Sequence, residues 1–140
     1  MNVKLLRKVK RHILAEPKRL DMDFVASEII AGPRAPRCGT VGCIAGWSAL
    51  LASPVIPATV AGRLALMGWD SGKKALELTE SEVNRLFNEP WLVYGPRKRD
   101  GAVGWPEKFA KAYLGAKTPR QRAGITARRI EHFIKTKGRE

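Results

Sequence analysis

Cys38-Gly39-Thr40-Val41-Gly42-Cys43-Ile44-Ala45-Gly46-Trp47-Ser48-Ala49-Leu50-Leu51-Ala52-Ser53-Pro54-Val55-Ile56-Pro57 decides how this chain folds, because no charged residue falls between positions 38 and 62. Such a stretch is either a membrane span or the centre of a soluble core. A span needs about 20 predominantly apolar residues in one helix. Here Ser48, Ser53, Pro54, Pro57 and Thr59 interrupt the run, and Gly39, Gly42, Gly46 and Gly62 weaken it. Two prolines near its middle would free backbone groups that lipid cannot satisfy. The pattern therefore predicts a buried helix over 43–52 whose small residues admit a close neighbour. A break at Pro54 follows, then a second helix over 57–67 with Pro57 in its first turn. No transmembrane segment is expected.

Working outward, helix signals dominate. Over 2–16, Leu6, Val9 and Ile13 recur at i, i+3, i+7 with Leu5 and Leu14 beside them, while Lys4, Arg7, Lys8 and Arg11 share another face. Glu16-Pro17 closes that helix, because a residue before proline avoids the α region. Residues 21–30 read equally as a short helix or an extended piece, and 32–36 as a loop. Thr79-Glu80-Ser81-Glu82 is a capping box ahead of Val83, Leu86 and Phe87, in a helix that Asn88-Glu89-Pro90 ends. Residues 95–104 form a basic loop and 106–114 a short helix. Thr118-Pro119 supplies the N-cap and first-turn proline of a long last helix to about 136. Its apolar positions are Ala123, Ala127, Ile130 and Ile134, with Phe133 alongside. No alternating β-branched run stands out. The expectation is an all-α fold: one compact domain over 1–140, about six helices, with 43–52 at its centre. A chain of 140 residues can bury one real core without disulfide or metal staples.

The charge is the unusual feature. Twenty-six Lys and Arg face 13 Asp and Glu, a net charge of +13. Residues 1–19 carry +6, residues 20–95 carry −2 and residues 96–140 carry +9. Charge of this size points to an anionic partner and bears on association, not on fold. Lys4, Arg7, Lys8 and Arg11 form one patch and Arg97, Lys98 and Arg99 a second. Arg120, Arg122, Arg128, Arg129 and Lys135, with Lys137 and Arg139 beyond, line the last helix. The first and last helices are expected to present basic outer faces, and Arg97, Lys98, Arg99, Arg128 and Arg129 to be exposed. A helix-turn-helix pairing of 106–114 with 120–136 is compatible with the pattern, although the turn between them lacks a convincing signature. The first helix shows no Trp or Phe on its apolar stripe, which suits core better than a membrane surface.

Catalytic readings are weaker. Cys43 stands where a helix begins, and a thiol there can be activated by unpaired amides. A cysteine hydrolase also needs a base, and His12 and His132 are the two histidines in the sequence. The alternative is a small buried core thiol, on which Cys43→Ser leaves any activity intact. Cys38 and Cys43, completed by His12 and His132, could form a tetrahedral zinc set, but strong zinc signatures show two tight ligand pairs and this chain has one. A reversible Cys38–Cys43 disulfide is a further option. Trp47, Trp69, Trp91 and Trp105 could stack bases, but each lies in or beside an apolar segment, so at least three are expected in the core. No Walker-type phosphate loop, serine elbow or paired-carboxylate motif is present.

The segment Cys38-Gly39-Thr40-Val41-Gly42-Cys43-Ile44-Ala45-Gly46-Trp47 resembles one near the start of a loose group of small, mostly phage- or prophage-type proteins, C-G-T-x-x-C-I-A-G-[WH]. The downstream order is also similar: Leu78 and Thr79 leading to Leu86-Phe87, then Trp105-Pro106, then Arg129-Ile130-Glu131 in the last helix. The resemblance implies a phage or bacterial cytosolic setting and brings no catalytic residues with it. The expected function is a small basic cytoplasmic binding module that is not an enzyme, uses no cofactor and contacts nucleic-acid backbone without sequence preference. An acidic surface of a host protein is the alternative partner, and a small cysteine- or zinc-dependent enzyme the second alternative.

Overall fold

A computed structural model describes residues 1–22, 42–53, 69–88 and 104–139. Six α-helices lie in those segments: α1 (Val3–Ala15), α2 (Ile44–Ala52), α3 (Trp69–Leu76), α4 (Glu80–Phe87), α5 (Glu107–Gly115) and α6 (Pro119–Lys135). The fold is all-α, as expected. The expected helix over 57–67, the segment 23–30, the loops at 32–36 and 95–103, and Cys38, Trp91, Arg97, Lys98 and Arg99 lie outside the described residues.

Local sequence explains the helix ends. The Asn2 side chain accepts from the Leu5 amide at 3.0 Å and starts α1. At α4, Thr79 Oγ1 accepts from the Glu82 amide at 3.3 Å while the Glu82 carboxylate accepts from the Thr79 amide at 2.8 Å. A second capping box, not anticipated, opens α6: the Gln121 amide donates to Thr118 Oγ1 at 3.2 Å and the Thr118 amide to Gln121 Oε1 at 3.1 Å. Glutamine at the third helical position supplies the reciprocal acceptor.

Helix α2 is the centre. Every residue from Ile44 to Leu50 is buried, as its lack of a polar face requires. The one hydroxyl there, Ser48 Oγ, donates to the Ile44 carbonyl at 2.7 Å. α1 lies against α2 and against α6, α3 packs along α2, and α5 covers part of α6. Leu6, Val9 and Ile13 are fully buried in the seam. After α1 the chain makes a 3₁₀ turn over Pro17–Arg19 and pairs with the entrance to α2, where the Gly42 amide donates to the Arg19 carbonyl at 2.9 Å.

Helix α3 had no counterpart in the sequence reading; its eight residues include Gly72 and two lysines. The packing explains that glycine. A Cβ built on Gly72 would stand 2.7 Å from the Ala45 carbonyl oxygen, so α2 and α3 meet backbone to backbone. α3 ends on Glu77, held in the left-handed region at φ 55°. The Leu78 amide donates back to the Lys73 carbonyl at 3.1 Å and buried Leu78 closes the motif. The same device ends α6, where the Gly138 amide reaches the Phe133 carbonyl at 2.9 Å.

Candidate basic interaction surface

The outer faces of α1 and α6 carry the charge. Lys4, Arg7, Lys8 and Arg11 are all exposed on α1, and Arg120, Arg122, Arg128 and Lys135 are all exposed on α6. The inner faces are set by Leu6, Val9 and Ile13 on α1 and by Ala123, Ala127, Ile130 and Phe133 on α6. The cations are thus outward because the apolar stripes are inward. Among the described residues none of these eight cations is paired with a carboxylate. Lys10 lies between the two faces and bridges to Glu131, joining α1 to α6. That contact neutralises the one acidic residue within α6.

Among the described residues, two shallow grooves open beside these faces. One of about 290 Å³ lies beside the end of α2, lined by Asn2, Lys4, Leu5, Lys8, Arg11, Leu51 and Ala52. Lys8 Nζ donates to the Leu51 carbonyl there at 2.9 Å, a cation placed where the helix dipole is negative. The other, about 330 Å³, is cut into α6 by Arg120, Gln121, Gly124, Ile125 and Arg128.

Arg129 corrects the sequence reading. It was expected on the exposed basic face beside Arg128, yet it is fully buried. Consecutive helical residues point about 100° apart, and the face that holds Ile130 and Phe133 takes Arg129 with it. Its guanidinium lies 5.3 Å from the Phe133 ring centre, and one nitrogen donates to the Arg85 carbonyl at 2.8 Å. Arg85 in turn donates to the Gly138 carbonyl at 2.7 Å. These contacts tie α6 to α4, and Arg129 belongs to the scaffold. A charged residue is a poor guide to exposure when its neighbours define the buried side.

Cys43 is buried at the N-cap position of α2, and its side chain makes no capping hydrogen bond. The fold brings His12 to this end of the molecule: its ring centre stands 4.0 Å from that of Trp47, one turn on from Cys43. Burial pulls the His12 pKa below its ordinary value, Arg19 adds to the shift, and Glu16 opposes it. His132, the partner considered for Cys43 from sequence, stands against Phe109 at 5.3 Å between ring centres, where α5 meets α6. Among the described residues no group of three or more His, Cys, Asp or Glu could hold a metal ion.

Trp47 and Trp105 are core residues, with indole N–H groups donating to the Arg19 and Leu86 carbonyls at 3.1 Å and 2.9 Å. Trp69 is half-buried, edge-on to Phe87. Two of the four tryptophans are therefore not platforms for bases. Among the described residues no helix is long and apolar enough to cross a membrane. Comparison with known proteins adds no relative: no family model, curated protein or solved structure matches the chain.

Proposed function

We propose that this protein binds nucleic-acid backbone through the outer faces of α1 and α6, without sequence preference. The observation that carries the reading is the row of exposed Lys and Arg side chains on both helices, none held by a carboxylate among the described residues. Unpaired cations can neutralise phosphates and release condensed counterions, which is the main source of non-specific affinity. Arg is well suited to this task because its planar fork matches two phosphate oxygens. The two faces share one scaffold, since α1 and α6 pack on each other and are joined by the Lys10–Glu131 bridge. On this reading the chain is a small accessory protein of phage or prophage type acting in the cytoplasm.

The test is an electrophoretic shift series at about 50 mM salt with duplex DNA, single-stranded DNA and RNA. Binding that falls on a straight log–log plot with a slope of about −4 to −5 on duplex DNA, as four to six neutralised phosphates require, supports the reading. Failure to shift any of the three refutes it and favours an acidic protein surface as the partner.

A further inference from the structure

We propose that Gly124 is a notch in the outer face of α6 that lets a phosphodiester backbone descend to the helix between Arg120 and Arg128. This rests on the nucleic-acid reading and adds a place and a fit to it. Arg120, Gly124 and Arg128 recur at i, i+4, i+8 and so share one face, with the two arginines about 12 Å apart along the axis. Together with Gln121 and Ile125 they line the groove of about 330 Å³. Both arginines are exposed and Ile125 is buried beneath them.

The glycine is the informative residue. In a helix interior it is the least favourable choice after proline, so a reason for it is expected. Gly72 has one in the Ala45 carbonyl. Among the described residues, a Cβ at Gly124 would meet nothing closer than the Arg128 guanidinium at 3.9 Å, which is ordinary contact. Internal packing therefore leaves room for a side chain that the sequence does not supply. What the missing side chain does provide is a floor of bare backbone between two guanidiniums, where a phosphodiester backbone can lie close enough for neighbouring phosphates to meet one guanidinium each with no methylene in the way. Lys135 continues the same face toward the helix end, and the intervening Glu131 is occupied by Lys10.

The experiment fills the notch without touching a charge. Wild type, Gly124→Leu, Gly124→Ala and the double variant Arg120→Gln/Arg128→Gln are titrated by fluorescence anisotropy between about 50 and 200 mM salt. The probes are a labelled 20-base-pair duplex DNA and single strands of DNA and RNA, with circular dichroism to check the fold. Removing two phosphate contacts should shallow the duplex salt slope by about 1.8. Gly124→Leu, with every charge intact and a strong helix former in place, should do nearly the same. Gly124→Ala, whose methyl covers part of that bare backbone, should shallow the slope by less than Gly124→Leu does while raising Tm by about 2–4 °C. If wild type binds and Gly124→Leu keeps the wild-type slope, the notch is refuted while nucleic-acid binding stands. A wild-type slope in the double variant also refutes it, independently of how Gly124→Leu folds. If wild type binds none of the probes, both proposals fall together.

Discussion

Two helix-interior glycines with opposite surroundings, Gly72 in α3 and Gly124 in α6, give a direct test of the packing. Replacing glycine by alanine in a helix ordinarily stabilises by about 0.5–1 kcal/mol, because the unfolded chain loses freedom. At Gly124 the new methyl finds its nearest neighbour among the described residues at 3.9 Å, the far end of the Arg128 side chain, so the full gain of about 0.5–1 kcal/mol is expected. At Gly72 the same methyl would stand 2.7 Å from the Ala45 oxygen and 2.8 Å from its Cα, both backbone atoms of the central helix. Neither can rotate away, so α3 must move off α2 by several tenths of an ångström. Overpacking of this kind costs about 1–3 kcal/mol, which exceeds the gain and leaves Gly72→Ala destabilised by about 1–2 kcal/mol. Urea unfolding followed by far-ultraviolet circular dichroism should move the midpoints of the two variants in opposite directions, with m unchanged. A Gly72→Ala protein as stable as wild type would mean that α2 and α3 do not meet backbone to backbone.

Adjacent arginines should also separate cleanly. Arg129→Ala removes a fully buried side chain and leaves the Arg85 carbonyl without its donor, and should cost about 3 kcal/mol in urea unfolding. Arg128→Ala should stay within about 0.5 kcal/mol of wild type and instead shallow the duplex salt slope by about 0.9. Equal stability of the two variants would count against the assigned orientation of α6. Burial lowers the His12 pKa in the folded state, so the unfolded chain takes up a proton more readily. The associated stability is complete above about pH 6.5 and declines as pH falls below it toward the folded pKa. Unfolding midpoints measured from pH 7.5 to 5.5 should drop more in wild type than in His12→Phe, which keeps a ring against Trp47, and parallel curves would refute the assignment. Glu77→Gly relieves a left-handed backbone at φ 55° and should stabilise by about 0.5–1 kcal/mol; a loss of stability in thermal melts would show that the Glu77 side chain matters more than its backbone.

Helix existence and capping were legible in the sequence because they are local. The Leu6, Val9 and Ile13 stripe, the Thr79–Glu82 box, the Thr118-Pro119 start and the charge-free segment around Trp47 each carry their signal within a turn or two, and the described structure has a helix at each of them. Exposure of Lys4, Arg7, Lys8, Arg11, Arg120, Arg122, Arg128 and Lys135 followed from the same periodicity. What composition and spacing could not supply were relations between distant positions. The sequence around Gly72 carries no local reason for a glycine inside a helix until Ala45 is set against it. Arg129 reads as one more surface cation until the Arg85 carbonyl and the Phe133 ring enclose it. His12 and Trp47 are 35 positions apart and meet because α1 packs on α2. Periodicity fixes which side of a helix faces inward, but long-range packing fixes what waits there, and that decides whether a glycine is a gap or a requirement and whether an arginine is surface or core.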